Sequence, residues 1–334
     1  MSFDKTKLKA PYIRGANSEF SFALDFMIAL LPALVWAVIA YGLRPLAIVL
    51  ISVVCSVVLD TFISILLRKN PLSPQSALIG MIIAMFMPAT VPYWVVAAAA
   101  AIGVVVRRLL GGIVSPVCAA LVPWFFLGDY MTAHTALFEK LDFMKLSYAG
   151  ELDALTVDTV LDAIKAGTLP EPSLLEHFLG QAPDYIGSMS AMLLLLGLCY
   201  LLARKVVSWH IPVGFVAAAT LVWFFTDFDG VNYWYIVYEL CAGGVLLGAF
   251  FAATEYTSAP VTNMGRLLYG ALCGALLMLF RYLDMHEEST VLAILAASLL
   301  TRPIDMITGE LIFGCTSKNI GDRLETLIPD FKKK

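Results

Sequence analysis

At 334 residues, with 60% apolar and only 14% charged side chains, the chain falls outside the class of ordinary soluble domains, which carry about 25% charged residues. The formal net charge of −4 says little about partners, since the charge sits in loops, but no basic stripe points to nucleic acid. The composition predicts an all-α integral membrane protein lodged in a cell membrane.

Residues 1–19 are polar, carry Lys5, Lys7, Lys9 and Arg14, and lack the apolar core of a secretory signal. Ten apolar stretches follow, at about 20–42, 44–67, 76–90, 92–110, 113–128, 185–204, 211–227, 232–254, 264–283 and 288–306. About 20 apolar residues match the ~30 Å hydrocarbon core, so each is read as a transmembrane helix. The third and fifth are short and contain Pro88, Pro116 and Pro123, the pattern of broken helices lining an internal site. The chain thus divides into an N-terminal segment 1–19, a first membrane half 20–128, an insert 129–184, a second half 185–306 and a tail 307–334. The insert is hydrophilic and acid-rich.

Basic residues set the orientation. Arg68, Lys69, Arg107, Arg108, Arg204, Lys205, Arg266 and the closing Lys332, Lys333 and Lys334 fall on one side of ten spans. Both termini are then cytoplasmic, and the insert is extracytoplasmic together with Asp227, Asp229, Glu287 and Glu288. Arg44 and Arg281 break this rule. Five spans on each side of the insert mean that, if the halves are repeats, they are inverted. Gly244-x-x-x-Gly248 and Gly270-x-x-x-Gly274 signal close helix approach.

Charge inside a span costs about 2.5–3.5 kcal/mol on insertion scales, which singles out Asp60 and Glu239. Each is either a structural charge held by a partner such as Arg107 or part of an ion or proton path. Asp25 and Asp305 lie near span ends, within reach of water. Thr254, Thr257, Ser258 and Thr262 cluster around Pro260 at a helix break, where hydroxyls either cap the backbone or hold a ligand. Cys55, Cys118, Cys199, Cys241, Cys273 and Cys315 show no C-x-x-C spacing and read as small apolar residues. An iron–sulfur cluster shared between Cys118 and another chain is the open alternative. His134, His177, His210 and His286 are scattered and form no metal motif. Tyr233, Trp234 and Tyr235 read as an interfacial aromatic belt.

The run Gly243-Gly-Val-Leu-Leu-Gly-Ala-Phe-Phe-Ala-Ala-Thr-Glu-Tyr-Thr-Ser-Ala-Pro-Val-Thr262, followed by Gly265-Arg-Leu-Leu-Tyr-Gly270, resembles the family of the Rnf complex D subunit and the B subunit of the sodium-pumping NADH:quinone reductase. Ala10-Pro-Tyr-Ile-Arg14, Ala29-Leu-Leu-Pro-Ala33, Ser76-Ala-Leu-Ile-Gly80, Pro92-Tyr-Trp94, Ser208-Trp-His-Ile-Pro-Val213 and Pro303-Ile-Asp305 are similar as well. The length favours the Rnf D subunit. The resemblance implies a urea-transporter-like 5+5 inverted repeat. It implies a subunit of an ion-translocating ferredoxin:NAD oxidoreductase, inactive in isolation, with other membrane and peripheral Rnf-type subunits as partners and Na+ or H+ as the coupled ion.

It further implies FMN joined by a phosphoester to a threonine in the motif Asp-x-x-Ser/Thr-x-Ala-Thr, installed by a flavin transferase. Asp153, Thr156 and Thr159 match, with Thr159 as acceptor. Asp158 stands where the family has Ala, and Val160-Leu161 where Pro-Leu usually follows. Gly187-Ser-Met-Ser190 lacks the family's Glu, and Ser115-Pro-Val-Cys118 replaces an Asn-Pro-rich segment. A second, non-covalent flavin, riboflavin or another FMN, is implied within the bundle, with Thr254, Thr257, Ser258 and Thr262 as candidate contacts. A threonine is not itself a redox group and can only be the tether, so the electron switch rests on the flavin. Two other readings compete: an inverted-repeat channel or transporter, and a structural subunit without covalent flavin.

Overall fold

The computed structural model describes residues 19–66, 74–110, 113–132, 134–136, 138, 141–146, 148, 157, 159–165, 173–225, 235–283, 285 and 288–312. Among the described residues the regular structure is helical, without a β-sheet. The first half contains α1 (Glu19–Tyr41), α2 (Arg44–Leu66), α3 (Pro74–Met85), α4 (Tyr93–Leu110) and, after a 3₁₀ turn at Pro116–Leu121, α5 (Val122–Met131). The insert contributes α6 (Val160–Lys165) and α7 (Leu174–Leu179). The second half contains α8 (Ala191–Ala203), α9 (His210–Phe225), α10 (Tyr235–Cys241), α11 (Val245–Ala252), α12 (Asn263–Tyr282), α13 (Ser289–Leu299) and α14 (Thr301–Ile312).

Four helices, α1, α2, α4 and α12, are long and apolar enough to cross a membrane alone. Two bent pairs raise the number to six if each is one span: α10–α11, bent by 59°, and Ser289–Leu299 with Thr301–Thr308, bent by 50°. Each of the ten apolar stretches contains helix, but α3, α8, α9 and Pro116–Phe125 are shorter than a straight crossing requires.

Helix α2 is turned inside out relative to a soluble helix. Leu50, Val54, Val58, Phe62 and Leu66 are exposed, whereas Ser52, Ser56, Asp60 and Ser64 are buried at four-residue spacing. That spacing lines one face, and lipid accounts for the apolar outer face. The Ser52 hydroxyl donates to the Gly80 carbonyl at 2.6 Å, and Ser56 to Ser52 O at 2.8 Å. Asp60 meets Arg108 Nε at 2.6 Å and Arg107 Nη1 at 3.9 Å. Arg108 also reaches Ser64, while Arg107 holds Ser76 and Gln75 at the start of α3.

The two glycines of the first spaced pair serve different ends: Gly248 lets α11 lie against α13, where an added Cβ would crowd Thr290 and Ile294, whereas Gly244 sits in a bend. Gly243 and Gly244 have φ of 64° and 69° and form the bend between α10 and α11, a conformation that side chains with a Cβ resist. Gly270 and Gly274 let α12 lie against α9. A Cβ on Gly274 would stand 2.9 Å from Ala219 N, and one on Gly270 3.1 Å from Ile211 Cα. Backbone cannot retreat as a flexible side chain can. Gly274→Ala is therefore expected to destabilise the chain by about 1–3 kcal/mol, read as a lower melting temperature in detergent. Gly128→Ala, which meets nothing within 4 Å, leaves close packing unchanged and is the control.

Arg44 and Arg281, the two exceptions to the charge rule, are 0% and 3% exposed. Neither is a loop charge. Both guanidinium groups are consumed by backbone carbonyls inside the protein, which removes them from the orientation signal.

Candidate functional site

The insert docks at the bend between α10 and α11. Thr159 immediately precedes α6, its carbonyl accepting from Ala163 N at 3.1 Å, and the residue is only 6% exposed. Val160 and Leu161 pack with Ala182, Tyr238 and Ala242, edged by Ile164 and Leu174. Leu161 also faces Gly243, where a larger residue would collide with it. Upstream, Val157 N donates to His134 O at 2.8 Å. Asp153, Thr156 and Asp158 lie outside the described residues.

A bend strands the carbonyls of the helix turn that precedes it. Arg281 satisfies them here: Nη1 donates to Glu239 O at 2.7 Å and Nη2 to Ala242 O at 3.2 Å. Nη1 also meets the Glu239 carboxylate at 3.3 Å, and Nε the Ser289 hydroxyl at 3.4 Å. From the insert side, Asp184 accepts from Gly243 N at 3.2 Å. Thr290 donates to Gly243 O at 3.0 Å. The bend is thus held by an arginine from α12, a threonine from α13 and the aspartate that closes the insert.

His177 of α7 is buried against Tyr238, ring centroids 6.1 Å apart, and neither ring nitrogen has a hydrogen-bond partner among the described residues. Burial pushes its pKa from 6.5 down to about 4. A base depressed in the folded state contributes stability fully present above its unfolded pKa and lost as pH falls from about 6.5 toward 4. His177→Phe is expected to flatten the acid limb of a melting-temperature profile between those values, removing a slope worth about 3 kcal/mol in total. An unchanged acid limb would contradict this.

At the other end of α11 the four predicted hydroxyls do not converge. Thr254 donates to Phe250 O at 2.6 Å. Thr262 caps α12 by accepting from Gly265 N at 3.0 Å and shares a 2.6 Å hydrogen bond with Thr308. The buried hydroxyls of Thr257, Ser258 and Tyr269 and one carboxylate oxygen of Glu255 have no hydrogen-bond partner among the described residues. Glu255 is 1% exposed and escaped the sequence reading. Its signal was an acid directly after a glycine-rich apolar run. A cleft of about 140 Å³ beside this turn is lined by Phe22, Ser208, Thr254, Tyr256, Pro260 and Arg266 among others. Pockets for whole cofactors span roughly 300–1,000 Å³, so within this chain the cleft seats a fragment rather than a complete isoalloxazine. Of the four hydroxyl residues, only Thr254 lines it.

Asp60 and Glu239, the two acids singled out deep within apolar stretches, are each held by arginine. For Asp60 the nearest is Arg108 rather than Arg107. Near the first and eighth helices, Asp25 meets Arg204 at 3.3 Å and Tyr200 at 3.1 Å. Asp305 accepts from Val261 N at 3.1 Å. Among the described residues no group of His, Cys, Asp and Glu is disposed to hold a metal ion.

Known proteins resemble the chain from end to end. The D subunit of the Na+-translocating ferredoxin:NAD+ oxidoreductase complex of Acetobacterium woodii is 32% identical over 321 residues, covering 93% of this chain and 96% of that protein. The D subunit of the proton-translocating ferredoxin:NAD+ oxidoreductase complex of Clostridium ljungdahlii is 29% identical, with 91% and 95% covered. The D subunit of the ion-translocating oxidoreductase complex of Aliivibrio salmonicida is 28% identical, with 91% and 97% covered. Residues 6–314 match the NQR2, RnfD, RnfE family. With nearly its whole length matched, the chain belongs to that family.

Proposed function

We propose that this chain is the D-type membrane subunit of an Rnf-type ferredoxin:NAD oxidoreductase, relaying electrons through flavin and coupling that transfer to movement of Na+ or H+. The observation that carries the reading is the end-to-end similarity to D subunits of such complexes, over more than nine-tenths of both chains. One such relative is named for sodium and another for protons, so the ion is left as either.

In this reading the chain spans the membrane ten times as two inverted halves of five, with both termini cytoplasmic and the insert outside. Several features support it. The third stretch of each half breaks its helix early, ending at Met85 in the first half and bending at 242–244 in the second. The fourth helix of each half carries arginine in its last turn, and Arg107 of α4 and Arg281 of α12 each reach back to the third, while Arg108 meets Asp60 and Ser64 of the second. With five spans per half, these two arginine clusters fall on opposite faces.

FMN bound as a phosphoester to Thr159 would supply the one- and two-electron chemistry that the threonine itself lacks. The chain's own residues anchor and shield it. The Thr159 hydroxyl is the tether. Val160, Leu161 and Tyr238 keep its base dry, and the bend fixed by Arg281 and Asp184 is the surface on which the tether rests. A second flavin beside residues 254–262 belongs to the same proposal, with Thr257 and Ser258 offering the unpartnered hydroxyls. The cleft there does not enclose a whole flavin, and no step is assigned to it.

The reading is tested by solubilising membranes that carry a tagged copy of the chain. Co-purification of Rnf-type subunits together with ferredoxin-dependent NAD reduction is the expected result. A chain that purifies alone, lacks flavin and passes small solutes in liposomes would establish the transporter reading instead.

A further inference from the structure

We propose that Arg44 is the positioning residue that clasps the insert, and with it Thr159, to the first membrane half. Arg44 opens α2 and is completely buried. Its five N–H donors meet five backbone carbonyls. Nε donates to Ala89 O at 2.7 Å, and Nη2 to Val91 O at 3.1 Å and Thr90 O at 3.5 Å. Nη1 donates to Lys145 O at 2.5 Å and Asp142 O at 3.3 Å. The rings of Tyr93 and Tyr148 lie 4.7 and 4.6 Å from the guanidinium carbon.

Two of the five acceptors belong to the insert and three to the bend between α3 and α4. A planar fork with five fixed donors spans such a set, whereas an ammonium offers three donors from a single point. The two aromatic rings add cation–π attraction.

The clasp extends toward Thr159 through neighbouring contacts. Leu141 N donates to Tyr41 O at 3.1 Å, the Tyr41 hydroxyl to Thr135 O at 3.5 Å, and the Tyr93 hydroxyl to Phe143 O at 2.8 Å. His134 O in turn accepts from Val157 N, two residues before Thr159. The described residues between His134 and Tyr148 therefore link Arg44 to the stretch of chain that carries the acceptor. The clasp itself rests on these contacts; its role toward a flavin rests on the proposed function.

The test compares wild type, Arg44→Ala and Arg44→Lys as full chains purified with their accompanying subunits. Protease cleavage within 134–148 and iodide quenching of flavin fluorescence are read with and without added ethylguanidinium or ethylammonium. Arg44→Ala is expected to raise cleavage of the insert by about tenfold or more, as opening of a local unit is set by its equilibrium, and to increase quenching. Ethylguanidinium restores both; ethylammonium, which cannot span the carbonyls, does not. Unchanged cleavage in Arg44→Ala, or equal restoration by ethylammonium, overturns the inference. If Arg44→Ala cannot be recovered from membranes, Arg44→Lys decides: partial protection that ethylguanidinium leaves unimproved supports the clasp, and wild-type protection overturns it. If the wild type carries no flavin, the proposed cofactor falls, and the cleavage arm alone judges the clasp.

Discussion

Thr159→Val is expected to abolish all flavin fluorescence that survives denaturing electrophoresis, with the chain still inserted and folded. Valine has the shape of threonine without the hydroxyl, and a phosphoester needs that oxygen. The site is 6% exposed, and exchanging a buried hydroxyl for a methyl costs about 1–3 kcal/mol, which a folded membrane bundle tolerates. Thr159→Ser keeps the oxygen and is expected to retain part of the signal. Asp158→Ala removes a carboxylate next to the acceptor. Two unit charges a few ångströms apart near a protein surface repel by about 1–4 kcal/mol, and the flavin phosphate is an anion. The labelled fraction is therefore expected to rise in Asp158→Ala. A wild-type band without fluorescence, produced together with its flavin transferase, would leave the chain as a structural subunit. Fluorescence persisting in Thr159→Val would move the attachment elsewhere.

The second large effect is structural. Arg281→Met leaves the Glu239 carboxylate, 4% exposed, without its cation, and also strips donors from the Glu239 and Ala242 carbonyls. Breaking one side of a buried pair costs about 3–5 kcal/mol, more than the pair itself contributes. Glu239→Gln keeps an oxygen that accepts a hydrogen bond and is expected to cost much less. The double variant Arg281→Met with Glu239→Leu is expected to recover part of the loss, since no charge is then stranded. Denaturant titration in mixed micelles checks the order. If Arg281→Met proves no less stable than Glu239→Gln, the buried pair does not hold the bend. An ion-path role for Glu239 predicts a different pattern, in which Glu239→Gln keeps wild-type stability and loses ion movement.

Much of the architecture was legible because hydrophobic length is a local property. Apolar stretches near 20 residues announced helices, and the helices are there, although α3, α8 and α9 fall short of a straight crossing. Glycine spacing was ambiguous for a physical reason. Gly248, Gly270 and Gly274 mark close helix approaches, whereas Gly244, spaced four residues from Gly248, adopts positive φ in a bend, and spacing alone does not carry dihedral angles. Asp60 illustrates a finer limit. Arg107 and Arg108 are adjacent on α4 and so point about 100° apart, and only the packing of α4 on α2 selects Arg108 for the short contact. The hydroxyls around Pro260 were visible as a cluster, but capping consumes Thr262 and back-bonding consumes Thr254.

By itself the sequence determined the membrane class, the order of apolar helices and the family, because each is written in residues close along the chain. Tertiary structure alone decided which charges are consumed. Arg44 answers carbonyls 45 to 101 positions away, Arg281 answers Glu239 and Ala242 across the bend, and Glu255 is buried beside hydroxyls without partners among the described residues. Burying a polar group is unfavourable until a partner is found, and partners so far apart in sequence meet only when the helices pack.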